Sequence, residues 1–137
     1  MDSSEKTQSR GMQVAHPVPL GQAELENHIL QQIVADYPED ALTLQEQLSK
    51  SRRDRDMTGV GFYLNFGIPE NVSRLKTRRP WADGWFEADG LQSAGGYLLW
   101  VTKDGLLDAL EGYCVEEWPR VKIGFRKFLN KNLGEQK

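Results

Sequence analysis

The sequence predicts an α+β protein in which an N-terminal helical hairpin packs on an antiparallel sheet of four to five strands arranged as a meander. Three observations favour this class. Apolar residues recur at helical spacing before residue 54, they alternate with polar residues over Met57–Phe66, and Asp104-Gly105 separates two apolar runs within Gly95–Val115. Helices followed by strands with short connections are typical of α+β folds rather than of βαβ winding.

Two helices are expected first. Apolar side chains recur at helical spacing over about Leu20–Asp36, and Pro38 ends that pattern. A second helix is predicted for Glu39–Arg53, in which Leu44 and Leu48 stack at a spacing of four residues. Acidic residues at its start and basic residues at its end match the helix dipole. The apolar faces of both helices need a sheet to cover.

The next segments predict strands. Every second residue from Val60 to Phe66 is apolar, so one face of a strand over Met57–Phe66 is expected to be buried. Gly67–Asp83 is predicted to be a long polar loop. Gly84–Gly90 is predicted to be a second strand, with Trp85 as its expected core residue and Phe86 as a further candidate.

Two apolar runs, Gly95–Lys103 and Leu106–Val115, are predicted to form a β-hairpin. Asp-Gly between such runs is the strongest short-range hairpin signal. The register stays open at this point. A two-residue turn pairs Lys103 with Leu106, whereas a bulged three-residue turn pairs Thr102 with Leu106.

The ends of the chain are assigned by composition. Residues 1–19 are predicted to be a disordered or extended lead-in, residues 20–133 a single α+β domain, and residues 134–137 a disordered tail. Trp118–Leu133 is predicted to hold either a fifth strand or a short helix, because its apolar residues fit both patterns.

Composition restricts the class of protein. The 137 residues include 4 Trp, 5 Phe and 4 Tyr, enough apolar volume for one core without disulfides or metals. One cysteine, no apolar signal segment in residues 1–21 and no long apolar run favour a cytoplasmic protein outside the membrane. Residues 1–49 carry two basic and eight acidic residues, giving −6, and residues 50–137 carry fifteen and twelve, giving +3. This asymmetry favours association with a partner.

Catalytic and metal-binding patterns do not stand out. Thr58–Phe62 contains Gly-x-Gly without the third glycine or the Gly-Lys-Ser/Thr of nucleotide-binding loops, so it is predicted to be a strand. His16 and His28 are not spaced as zinc ligands, and no nucleophile elbow accompanies them. Cys114 is expected to be a small buried hydrophobe. We therefore expect no metal and no cofactor, and we favour a non-enzymatic role over an enzyme.

Two segments are candidates for binding. Glu111 lies between apolar residues of the hairpin, where a carboxylate needs a partner, although a solvent-facing strand position is the simpler interpretation. The loop before the second strand combines arginine with tryptophan, the usual anchors of protein interfaces, although a solvated loop is the simpler interpretation there as well. Tyr97–Val101 is apolar on both faces, which predicts a central strand covered on both sides, or on one side with a partner on the other. The candidate binding residues are Arg74, Arg78, Arg79, Trp81, Trp85, Tyr97, Glu111 and Tyr113.

Four short motifs occur in a defined order: Thr58–Phe62 (TGVGF), Gly96–Val101 before Asp104-Gly105 (GYLLWV-x-x-DG), Leu110–Tyr113 (LEGY) and Trp118-Pro119. In order and spacing they resemble a group of small bacterial proteins of uncharacterised function, over about residues 40–119. The resemblance implies a compact bacterial α+β domain and assigns no catalytic residue. Some proteins of this general build are loosely similar to immunity proteins of toxin systems.

Three functional hypotheses follow. The first is a non-enzymatic binding domain, immunity-like or accessory, whose partner is a protein, with a second copy of the chain among the candidates. The second is a small-ligand binder or enzyme that uses Glu111 with an arginine of residues 74–79, here called the basic loop, beside Tyr63, Tyr97 and Tyr113. The third is nucleic-acid binding through Arg74–Arg79, which a sequence pI of about 5.4 disfavours.

Overall fold

The fold was established from a computed structural model that describes residues 16–129. Two α-helices lie within this range, α1 (Gln22–Asp36) and α2 (Ala41–Ser49), joined by a 3-10 turn at Pro38–Asp40. The strands of the same range are β1 (Val18–Leu20), β2 (Arg52–Met57), β3 (Gly61–Gly67), β4 (Ala82–Asp89), β5 (Gly95–Val101), β6 (Leu107–Tyr113) and β7 (Ile123–Phe128).

The predicted α+β class is confirmed, but the predicted sheet is too small and too simple. Within residues 16–129 one antiparallel sheet has seven strands in the order β1-β7-β4-β5-β6-β3-β2, so only β4, β5 and β6 follow each other as a meander. The strands that the sequence did not predict are the two edges. β1 is three residues long and contains Pro19, and every residue of β2 is exposed. Neither carries the apolar alternation that marks a half-buried strand.

The second helix is shorter than predicted. It ends at Ser49, where the backbone N–H of Lys50 donates to the carbonyls of Glu46 and Gln47. The hydroxyl of Ser51 then donates to the Leu48 carbonyl as the chain leaves the helix. The basic residues expected to close the last helical turn, among them Arg52 and Arg53, belong to β2 instead.

The core lies between the helices and one face of the sheet, here called the inner face. Leu25, Ile29 and Ile33 of α1 pack there with buried residues from the central strands. The largest fully buried side chains of these strands are Phe62, Phe86, Leu99, Leu107 and Leu110. The expectation that Trp85 is a core residue is wrong, because β4 alternates strictly and buries Phe86 while Trp85 stays 45% exposed.

The hairpin forms with the bulged three-residue turn. Thr102 N–H donates to the Leu106 carbonyl, and Gly105 N–H donates to the Thr102 carbonyl. The Thr102 hydroxyl also accepts from the N–H groups of Asp104 and Leu106. Gly105 has φ +83°, the left-handed conformation that such a turn requires at its last position.

Strand β3 begins later than predicted. Gly59 turns the chain with φ +92°, and Val60 after it is 47% exposed rather than aligned with Phe62. The alternation holds over residues 62–64, where Phe62 and Leu64 are buried and Tyr63 is exposed. The turn at Gly59 therefore separates Val60 from the strand that its apolar character suggested.

The C-terminal segment is a strand, which decides between the two predicted alternatives. β7 pairs with β4 on one side and with β1 on the other, so Val18 and Pro19 of the predicted lead-in belong to the sheet together with Leu20. The predicted tail at residues 134–137 and the first fifteen residues of the lead-in lie outside the described residues.

No helix within residues 16–129 is both long and apolar enough to cross a membrane.

Candidate binding face

The sheet side turned away from the helices, here called the outer face, concentrates aromatic and acidic side chains. β4, β5, β6 and β3 are adjacent, and strand alternation turns every second residue of each outward. The side chains that define the outer face are Tyr63, Asp83, Trp85, Leu98, Trp100, Glu111 and Tyr113. These residues are exposed or half-buried, whereas their strand neighbours on the inner face are buried.

Strand register aligns acidic and apolar residues in one row across the outer face. Asp56 pairs with Tyr63, Tyr63 with Glu111, and Glu111 with Leu98. Leu98 pairs in turn with Asp83. Neighbouring strands lie about 4.8 Å apart, so the three carboxylates of the row follow each other at intervals of about 10 Å.

Two neutral side chains lie at Glu111. The indole Nε1 of Trp100 donates to Glu111 Oε1 at 3.0 Å, and Tyr63 is the cross-strand partner of Glu111. Partial burial raises the pKa of Tyr63, and the neighbouring Glu111 carboxylate raises it further because it favours the neutral phenol. Trp100 carries no charge, so its hydrogen bond orients the carboxylate without neutralising it.

Tyr113 lies flat across Gly96 in the next row. A Cβ at Gly96 would come 2.4 Å from Cζ of Tyr113, so only glycine leaves space for the ring. The ring meets Trp85 edge-on with centroids 5.7 Å apart. Burial raises the pKa of Tyr113, and the negative charges of Asp83 and Glu111 raise it further. Gly96 thus fixes an aromatic platform beside the acidic row.

Aromatic faces next to carboxylates suit the binding of a cation. The ring quadrupole attracts an ammonium or guanidinium group, and a nearby carboxylate adds a charge-assisted hydrogen bond. Asp56 accepts from the side-chain amide of Asn65, which is another uncharged donor. Within residues 16–129 no group of three or more His, Cys, Asp or Glu side chains is arranged to hold a metal ion.

The structure brings three of the predicted site residues together and separates two others from them. Trp85, Glu111 and Tyr113 share the outer face. Tyr97 and Trp81 are buried on the helix side. Tyr97 crosses Gly84 on the inner face, where burial is the largest cause that raises its pKa. Trp81 packs on Tyr37 with centroids 4.8 Å apart.

The arginines of the basic loop have partners other than Glu111. Arg74 binds Glu70 and the carbonyl of Asp104. Arg78 lies over the Trp81 ring, with Cζ 4.2 Å from the centroid, and donates from Nε to the Trp81 carbonyl. Arg79 is exposed and precedes a cis peptide bond to Pro80. These contacts hold the loop against the helix side of the fold.

Cys114 and His28 make packing and hydrogen-bond contacts with neighbouring residues of the fold. Cys114 is half-buried, its Sγ donates to the Glu116 carbonyl, and burial raises the pKa of its thiol. His28 stacks on Phe128 with ring centroids 5.6 Å apart.

Sequence reasoning missed Leu98 and Trp100 as members of the outer face. The available signal was the two-sided apolar run, because its alternate residues must face opposite sides of a central strand. Asp56 was missed because the strand that carries it was not predicted. The sequence indicates Tyr63 only as a neighbour of a site at Glu111.

Comparison with known proteins finds no family model, no curated protein and no solved structure that matches the chain.

Proposed function

We propose that this protein is a non-enzymatic protein-binding domain whose outer face takes a basic surface of its partner. The row Asp56–Tyr63–Glu111–Leu98–Asp83 carries the proposal. Asp56 accepts from the uncharged Asn65 amide and Glu111 from the uncharged Trp100 indole, and Trp85 and Tyr113 lie in the next row beside Glu111 and Asp83. Lysine and arginine side chains complement this arrangement by charge and by cation–π attraction.

The shape and extent of the face favour a protein over a small molecule. The row spans four strand intervals, about 19 Å, and it lies on a sheet surface rather than inside a cleft. Each exposed cation–π contact or ion pair contributes about 0.5–1 kcal/mol, so useful affinity needs several at once. A folded partner with several basic residues supplies them. This agrees with the immunity-like or accessory role expected from the sequence.

Peptide titration tests the charge preference. The ¹⁵N-labelled full chain would be titrated with a Lys/Arg-rich peptide, with a Glu-rich peptide of equal length, and with a single-stranded oligonucleotide. We expect the basic peptide to shift the indole signals of Trp85 and Trp100, while the Glu-rich peptide leaves them unchanged. A response to the oligonucleotide at the Arg74–Arg79 loop instead would favour the nucleic-acid hypothesis.

Variants test the face against a native partner. Trp85→Ala removes an exposed ring, and Glu111→Gln removes a charge while keeping an acceptor for Trp100. Each variant is expected to lower the affinity for a partner recovered from the producing cells about tenfold. The matched controls are Leu42→Ala, which removes an 83% exposed apolar residue of α2, and Glu39→Gln, which removes an exposed charge. Equal capture by all four variants would rule out the outer face as the binding surface.

A further inference from the structure

A cleft separate from the outer face opens where α1 begins. Its volume is about 1010 Å³, and it lies between the start of α1, the end of β2 and the segment that enters β7. Leu25, Met57, Trp118 and Ile123 supply apolar walls. Met57 and Val121, which also line the cleft, are 53% and 78% exposed. Exposed apolar residues gathered at a concave site mark a binding surface more than a folding requirement.

The polar groups of the wall satisfy each other. Trp118 Nε1 donates to Gln22 Oε1 at 2.9 Å, and Gln22 Nε2 donates to Glu26 Oε2 at 2.7 Å. Arg55 closes this chain by binding both carboxylate oxygens of Glu26. The wall is therefore fixed before any ligand arrives, and its polar atoms need no partner inside the cleft.

Charge at the opening is positive. Arg120 and Lys122 lie at the cleft and are exposed, while Arg55 is neutralised by Glu26. Glu117 is the one acid among the described residues that line the cleft, and it lies 3.8 Å from Arg120. The lining thus keeps a positive balance beside an apolar interior, the opposite of the outer face.

We propose that this cleft binds an amphipathic anion, a molecule with an apolar chain or ring system and a carboxylate head. The apolar part packs against Met57, Trp118 and Ile123, and the carboxylate pairs with Arg120 and Lys122 at the mouth. The volume matches the upper range of small-molecule pockets, about 300–1,000 Å³, and so accepts a medium-length chain. This site is independent of the protein-binding function proposed for the outer face.

Three probes of equal chain length separate charge from hydrophobicity. Decanoate, decanol and decyltrimethylammonium would be titrated into the full chain at low salt and below their micelle concentrations. The readout is the indole signal of Trp118, assigned through Trp118→Phe. Decanoate is expected to bind about five-fold or more tightly than decanol, with the ammonium amphiphile weakest.

Variants locate the head group and the chain. Arg120→Gln and Lys122→Gln should each weaken the binding of decanoate by about three- to five-fold and leave the binding of decanol unchanged. Met57→Trp places a larger side chain at the apolar wall of the cleft and should weaken the binding of both decanoate and decanol. The controls are Lys50→Gln, an exposed lysine after α2, and Leu42→Trp. Thermal unfolding of every variant verifies that it is folded.

Two outcomes would overturn the proposal. One is decanol or the ammonium amphiphile binding as tightly as decanoate, which would leave an apolar peptide as the occupant. The other is a dimer in sedimentation that Met57→Trp dissociates, which would assign the cleft to a second copy of the chain.

Discussion

Gln47 joins three separate segments of the chain through one uncharged side chain. Its Nε2 donates to the carbonyls of Ser73 at 2.7 Å and Gly105 at 3.0 Å, and its Oε1 accepts from Leu107 N–H at 2.8 Å. The side chain is fully buried on α2. The basic loop and the hairpin turn are thereby held on the helix that covers them.

Replacing Gln47 by leucine is expected to destabilise the fold by about 3 kcal/mol, because buried backbone groups lose their partners while the volume is kept. Gln45→Leu on the same helix is the matched control, since Gln45 is exposed, and it should change stability by less than about 0.5 kcal/mol. Urea unfolding of both variants measures the difference. Equal effects would mean that the three hydrogen bonds do not stabilise the loop.

Glu111 should control the ionisation of the tyrosines beside it. Glu111→Gln removes the negative charge, so the pKa of Tyr63 and of Tyr113 should fall toward the ordinary value. Both should stay above that value because burial, the largest cause, remains. Chemical shifts of tyrosine Cζ, followed against pH, report each residue. Unchanged titration of Tyr63 in the variant would show that its phenol does not bond to Glu111.

The same pKa shifts make stability depend on pH in the alkaline range. Tyr63, Tyr97 and Tyr113 have raised pKa values in the folded chain, so they hold their protons where the unfolded chain releases them. Their stabilising contribution is present below the unfolded tyrosine pKa of about 10 and decreases as pH rises above it. The free energy of unfolding should therefore fall between about pH 10 and 11, more steeply than in a Tyr97→Phe variant.

Among the elements, the hairpin turn places two separate constraints on one residue, Gly105. Leu75 N–H donates to the Gly105 carbonyl at 2.9 Å, and a Cβ at Gly105 would come 2.3 Å from the Leu75 carbonyl oxygen. Two demands meet at one residue: a left-handed φ for the turn and a close backbone approach for the loop. Only glycine meets both.

Comparing Gly105→Ala with Gly59→Ala separates these two demands. Both glycines have positive φ, but a Cβ at Gly59 meets nothing within 4 Å. Gly59→Ala should cost about 1 kcal/mol from conformation alone. Gly105→Ala should cost about 3 kcal/mol or more, because the loop must also move away. Equal losses of stability in thermal unfolding would mean that the loop at Leu75 can move away from Gly105 without a free-energy cost.

The elements also differ in how well the sequence predicts them. The turn at Asp104-Gly105 and the alternation after Gly61 are local signals, and both identified their elements. β2 carries no such signal, because its residues are charged and exposed. Its position is determined by pairing with β3 and by the contact of Arg55 with Glu26 on α1. The outer face was only half predictable for the same reason, since cross-strand register decides that Glu111 meets Tyr63 and Trp100.

At the scale of the whole molecule, opposite charges occupy two separate surfaces. The outer face is acidic, and the cleft at α1 is positive and concave. Arg55 stands between them on the edge strand β2, where it binds Glu26 and lines the cleft. Because β2 is exposed along its length, this ion pair is a principal link between the sheet edge and α1.

Removing the two partners of this link should have unequal effects. The Glu26 side chain is 3% exposed and that of Arg55 is 35% exposed. Arg55→Met leaves a buried carboxylate without a cation and should cost about 3 kcal/mol. Glu26→Leu leaves an arginine that reaches water and should cost only about 1 kcal/mol.

The double variant Glu26→Leu/Arg55→Met completes the cycle. It should be more stable than Arg55→Met alone, because no buried charge remains and two apolar side chains pack where the ion pair was. Urea unfolding of the four proteins gives the coupling energy. Additive losses would show that the Glu26–Arg55 pair contributes no coupling energy between α1 and β2.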